Sequence, residues 1–191
     1  MSEGGFHVHG LHDHELQHAA EHDPKGLAGQ LAVATAIIAT VGAMFSYMGG
    51  LTQADAGIYK NNAAIKKTEA ADQWAYYQSK SNKQNLAELA LDLAPAERRP
   101  VYAEQLKRYQ GEKAAIQNDA KKLEDESKDW DRRSEEQMHQ HHRWAQATTA
   151  LQIAIAMAAI ALLTRRKWLE YGVFALSGLG VVLGVLAWQH I

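Results

Sequence analysis

From Gly26 to Ala54 the chain has no Asp, Glu, Lys or Arg. A helix in water keeps a charged or polar face, so an uncharged run of this length excludes an ordinary surface helix. The stretch from Leu27 to Leu51 is long enough, at ~1.5 Å per residue, to cross a hydrocarbon core of ~30 Å. Two later runs, Ala145 to Leu163 and Tyr171 to Trp188, also lack charge, and each comes near the roughly 17 to 25 residues that a spanning helix needs. An all-α protein with three transmembrane helices follows, at 27–51, 145–163 and 171–188. Cysteine is absent altogether, which excludes disulfides, thiolate metal sites and thiol nucleophiles. Proline occurs three times, at Pro24, Pro95 and Pro100, so almost nothing punctuates the chain between the first and second spans.

Strand patterns are missing too. Without them the dinucleotide-binding, phosphate-loop and nucleophile-elbow readings lose their context, and no GxGxxG, GKS/T or GxSxG string is present. Acidic neighbours such as Glu124, Asp125 and Glu126 stand in interspersed charge and read as a solvated helix face. No catalytic residue is assigned, the chain is read as not an enzyme, and no pattern names a small-molecule substrate. The segment from Thr52 to Trp144 carries sixteen Lys or Arg against sixteen Asp or Glu, a balance that gives no net field to attract nucleic acid. The spans hold no charge, which removes the usual marker of an ion path. A cleaved export signal fits poorly as well, because the tail is acidic apart from Lys25 and the apolar run is about twice too long.

What is present organises the chain around one turn. Pro95 and Pro100 flank AERR and mark a break at 94–100 within the insert 52–144. The arms on either side are equal in length, as a helical hairpin requires if both ends return to one membrane surface. In the second arm Tyr102, Leu106, Tyr109, Lys113, Ile116, Ala120, Leu123, Ser127, Trp130, Ser134, Gln137, His141 and Trp144 recur at alternating steps of four and three, a coiled-coil spacing. In the first arm Ile58, Asn61, Ile65, Thr68, Asp72, Ala75, Ser79, Asn82, Leu86, Leu89 and Leu93 follow the same rule. Folding at the turn then sets Leu86, Leu89 and Leu93 against Tyr109, Leu106 and Tyr102 as a hairpin core. In that core, truncating Leu89 or Leu106 to alanine costs roughly 2 to 4 kcal/mol. Trp74, Tyr76 and Tyr77 fall off the first seam and are read as an oligomer interface, or alternatively as rings wrapping their own partner helix. In the spans, small residues four apart (Ala28, Ala32 and Ala36; Ala150, Ala154 and Ala158; Gly180 and Gly184) permit close helix approach.

Histidine is concentrated at the two ends of the first span and insert. The tail 1–26, His-rich, acidic and expected to be disordered, holds His7, His9, His12, His14, His18 and His22, six of ten in the chain. Steps of four would align His14, His18 and His22 on one helix face, a set suited to Zn or Ni, although without HExxH there is no hydrolytic zinc centre of that kind. No cofactor is required by any other feature. His139, His141 and His142 precede the second span and read as interfacial anchors beside Trp144.

Asp72 to Gln84, DQWAYYQSKSNKQ, together with the His- and Glu-rich tail and the string LTRRKWL from Leu163 to Leu169, resembles the bacterial membrane family catalogued as domain of unknown function 4337. The resemblance covers nearly the whole chain. It implies a three-span protein of the bacterial inner membrane with a polar helical insert, and it brings no activity, cofactor or catalytic residue. The expected function is a non-enzymatic scaffold in the lipid bilayer that forms a homo-oligomer through the hairpin and the small-residue faces of the spans. A metal-handling accessory role for the tail, or an oligomeric pore, are the alternatives.

The short connection Thr164 to Glu170 carries Arg165, Arg166 and Lys167, which the positive-inside rule places in the cytoplasm; the tail is then cytoplasmic and the hairpin periplasmic. Lys60, Lys66 and Lys67 after the first span vote the other way, but a long segment crosses largely regardless of its charge. A single cysteine introduced as Ala96→Cys is expected to react in intact cells with a maleimide that reaches the periplasm but not the cytoplasm. Labelling only after lysis would reverse the topology.

Overall fold

A computed structural model describes residues 26–189. The six tail histidines lie outside the described residues. Three helices account for nearly all of the rest: α1, Leu27–Leu93; α2, Arg99–Thr164; and α3, Lys167–Trp188. Among the described residues there is no strand. The two long helices run on because nothing stops them, with no proline between Pro24 and Pro95 or after Pro100. Residues 94–98 join α1 to α2, with the Arg98 amide donating to the Pro95 carbonyl at 2.9 Å. Pro100 sits in the first turn of α2, where its missing N–H has no helical partner to lose. All three helices are long and apolar enough to cross a membrane.

The chain divides into two compact units, Ala54–Gln137 and the flanking segments that end at Gln53 and resume at Met138. In the flanking unit, Leu31 and Ile38 of α1, Leu151, Ala158 and Ala161 of α2, and Leu169 and Val173 of α3 form one apolar cluster. Glycine gives the close approaches. A Cβ on Gly180 would lie 2.6 Å from Leu151 Cδ2, and one on Gly184 would run into the Phe45 ring. Ala150, Ala154 and Ala158 are buried, whereas Ala36 faces outward; on α1 the inward side is Leu31, Thr35, Ile38, Gly42 and Gly49 instead. Between α2 and α3 only Arg165 and Arg166 intervene, and Arg165 takes a left-handed backbone, φ 52°, while its amide donates to the Ala161 carbonyl at 2.8 Å.

The other unit is an antiparallel helical hairpin, and its seam differs from the sequence expectation on one arm. On α2 the inward positions are Tyr102, Leu106, Tyr109, Lys113, Ile116, Ala120, Leu123, Ser127, Trp130, Ser134 and Gln137, all buried or half-buried. On α1 the inward residues are Ala56, Tyr59, Ala63, Lys66, Ala70, Trp74, Tyr77, Lys80, Gln84 and Ala87. Leu86, Leu89 and Leu93 point away from α2, with 65%, 57% and 77% of their surface exposed. They form no core with Tyr102, Leu106 and Tyr109.

The reason is complementarity of size. Small residues meet small ones where the backbones are closest, Ala56 and Ala63 facing Ser134 and Ser127, while bulk meets bulk beside them, Trp130 packing on Tyr59 with ring centroids 5.5 Å apart. Two serines then bond across. Ser127 Oγ donates to the Ala63 carbonyl at 2.8 Å, and Ser134 Oγ donates to the Ala56 carbonyl at 2.8 Å. A hydroxyl only one carbon from its own backbone reaches another helix's carbonyl only where the two backbones run very close, and alanine leaves that space open. With leucine facing inward there, neither bond would form.

Ala63→Leu is therefore expected to cost the hairpin about 1 to 3 kcal/mol by overpacking, with Ala114→Leu on the exposed face of α2 staying within about 0.5 kcal/mol. Helical unfolding followed by circular dichroism checks the pair, and equal effects would reject this seam.

Candidate functional site

A groove of about 700 Å³ runs along one side of the hairpin. Its floor is Ala63, Ala64, Ala70 and Ala71 of α1, and its rim carries Lys67 and Lys128. Each end is closed by a cross-helix polar pair. At one, Trp74 Nε1 donates to Glu124 Oε1 at 2.8 Å; at the other, Lys60 pairs with Asp131. Ser127 also lines the groove, but its hydroxyl is already spent on the Ala63 carbonyl. Its lining mixes four alanines and Trp74 with three lysines, Glu124, Asp131 and Ser127.

Trp74 and Tyr77, expected off the seam, are half-buried on the α2 side of α1 and stack edge to face with centroids 5.6 Å apart. Tyr76 is more exposed and lies under Lys80, whose Nζ is 5.1 Å from the ring centroid. These rings wrap their own partner helix, so the expectation that apolar area here exceeds what one opposing helix covers is corrected for Trp74 and Tyr77.

Lys80 anchors a second polar cluster nearer the turn. Its ammonium donates to Glu112 and lies 5.8 Å from the Tyr109 ring centroid; beside it, Lys113 donates to Gln84 at 3.2 Å and stands 4.9 Å from the Tyr77 ring centroid. The hydrogen bond with Glu112 raises the Lys80 ammonium above its ordinary 10.5. The same bond lowers the Glu112 carboxyl below its ordinary 4.5, with Arg108 adding to the effect. Spacing on the sequence gave no sign of these pairs, because the phase of α1 had to be known first. The signal was there in the exact seven-residue steps of Ala56, Ala63 and Ala70 and of Ser127 and Ser134.

In the flanking unit the histidines separate. His141 faces α1, with Nδ1 2.9 Å from the Gly49 carbonyl. A carbonyl only accepts, so Nδ1 carries the proton. His139 and His142 are exposed. Among the described residues no group of three or more His, Asp or Glu side chains is placed to hold a metal, and the tail ligand candidates His14, His18 and His22, with His7, His9 and His12, fall outside them.

The fold is thus that of an all-α protein of three helices, two of them paired as a hairpin and all three apolar enough somewhere along their length to cross a membrane. The chain belongs to the family described as Domain of unknown function (DUF4337), whose profile matches residues 27–190. The match begins at α1, leaving the histidine tail outside it. No curated protein and no solved structure matches.

The pairing of Glu112 with Lys80 has a pH signature. A lowered carboxyl stabilises the fold above its unfolded value and loses that contribution as pH falls through the folded one; a raised ammonium loses its contribution as pH rises through its folded value. The relevant windows lie below 4.5 and above 10.5. Glu112→Gln is expected to melt earlier than the native chain at pH 7 and to converge with it as pH drops below 4.5. A gap that persists unchanged in acid would show that the ion pair is not its source.

Proposed function

We propose that this protein is a non-enzymatic, multi-pass scaffold of the bacterial inner membrane that works as a homo-oligomer. The observation that carries this reading is how the hairpin uses its chemistry. Its inward polar groups, Ser127, Ser134, Trp74, Lys80 and Lys113, are committed to holding α1 against α2, and large apolar side chains remain exposed on the outer side of α1. Groups engaged in this way serve architecture, and exposed apolar area in a charged segment serves association.

Lipid is the natural neighbour of the flanking unit, where Val33, Ile37, Met44, Ile153, Ile160, Val181 and Val185 face outward. Arg165, Arg166 and Lys167 favour a cytoplasmic α2–α3 connection, which sets the tail in the cytoplasm and the hairpin in the periplasm.

Cross-linking in native membranes, with mass photometry in mild detergent, tests the assembly. The full chain and a variant lacking the residues up to Asp23 are both expected to run as the same oligomer. A monomer in every condition would overturn the scaffold reading, and loss of assembly with loss of stoichiometric Zn(II) or Ni(II) on removing the tail would replace it with metal handling.

A further inference from the structure

The hairpin exposes seven large apolar side chains, Ile58, Ile65, Tyr76, Leu86, Leu89, Leu93 and Val101. Five of them lie on one line. Ile58, Ile65, Leu86, Leu89 and Leu93 all belong to the series 58, 61, 65, 68, 72, 75, 79, 82, 86, 89, 93, in which every member is exposed. Alternating steps of three and four keep this line straight along a helix that already winds against α2. It lies on the side of α1 away from α2, two residues out of phase with Ala56, Ala63 and Ala70. α1 therefore carries two heptad seams, and one has no partner among the described residues.

We propose that this outer stripe pairs with the same stripe of a second copy, parallel and in register, so that Ile58, Asn61, Ile65, Ala75, Asn82, Leu86, Leu89 and Leu93 each face their own equivalent. The inference rests on the scaffold reading and specifies its interface. A second copy is the occupant that the pattern fits. The apolar positions fall in two blocks, 58–65 and 86–93, separated by Asp72 and Ser79, and another α1 offers the same blocks at the same separation. Asn61 and Asn82 stand at d positions of the stripe, where an amide facing its own equivalent can both donate and accept across the pair. Two copies inserted in one bilayer share an orientation, so their α1 helices run parallel. Ala64 and Ala71, which line the groove, border the stripe and leave room for a close approach.

Because the chain has no cysteine, single substitutions report the pairing directly in full-length protein in its membrane. Asn61→Cys, Ala75→Cys and Leu89→Cys are each expected to give a disulfide-linked dimer on mild oxidation, since equivalent residues of a parallel pair come within bonding reach. Ala114→Cys, on the exposed face of α2, is expected to stay monomeric under the same conditions. Linking at Ala75 alone would mean antiparallel stripes and overturn the proposal, as would equal linking at Ala114. Two further variants separate the interface from the fold. Leu89→Lys should weaken self-association more than about tenfold with helix content unchanged, and Asn82→Leu should tighten it. An oligomer that survives Leu89→Lys and links at none of the three sites would leave the scaffold reading standing and refute this interface, whereas a monomeric native chain would refute both.

Discussion

The close approach of α1 to α2 is the constraint on which the rest of the hairpin depends. Alanine at 56, 63 and 70 of α1 removes the bulk between two helix backbones, and the serines of α2 turn the resulting space into directed bonds to the Ala56 and Ala63 carbonyls. Those carbonyls also serve their own helix, so each accepts a second donor rather than exchanging one for another. The net worth of each such bond is about 1 kcal/mol, but it is obtained only at one rotation and one offset of the helices. Hydrophobic contact tolerates sliding; a hydroxyl on a carbonyl does not. Once this fit is set, Trp74 meets Glu124 and Lys80 meets Glu112 without further adjustment.

The flanking unit reaches the same end with other residues. Gly49 is the small residue, a Cβ there would stand 3.3 Å from Trp144 Cβ, and the carbonyl of Gly49 takes the imidazole of His141 as the carbonyls of Ala56 and Ala63 take hydroxyls. Ala28, Thr35, Gly42, Gly49, Ala56, Ala63 and Ala70 follow one another at intervals of seven without a slip. A strict seven-residue repeat imposes a left-handed coil, because an ideal helix drifts about 20° per heptad against it. The apolar spans and the charged insert differ sharply in composition, yet α1 keeps one phase of small residues through both.

How far the fold could be read from the sequence follows from the kind of signal each part carries. Helix class, the break at Pro95 and Pro100, and the inward face of α2 were legible because proline placement, charge-free length and a seam containing Trp130, Leu123 and Ile116 are unambiguous. The inward face of α1 was not. Ranking positions by apolar bulk selects Ile58, Ile65, Leu86, Leu89 and Leu93, and these form a heptad as good as the true one. The structure chooses the alternative because Ser127 and Ser134 reach the Ala63 and Ala56 carbonyls only across a close approach, which a reading of one arm at a time does not register. Trp74 was misplaced for the same reason, its phase having been measured from the wrong line. The groove between the arms depends on both phases and was out of reach; the histidine tail remains a matter of composition.

The two-residue link between α2 and α3 shows a preference of another kind. A left-handed residue after a helix is normally glycine, since any side chain there brings Cβ against the backbone at a cost of about 1 to 2 kcal/mol. Here the position belongs to Arg165, at φ 52°. Its cation stands at the negative end of the α2 dipole, which returns part of that cost, and with Arg166 in the link and Lys167 at the start of α3 it makes a run of three positive charges. A glycine would relax the backbone and thin that charge by a third. The chain accepts a strained residue and keeps the full charge at this connection.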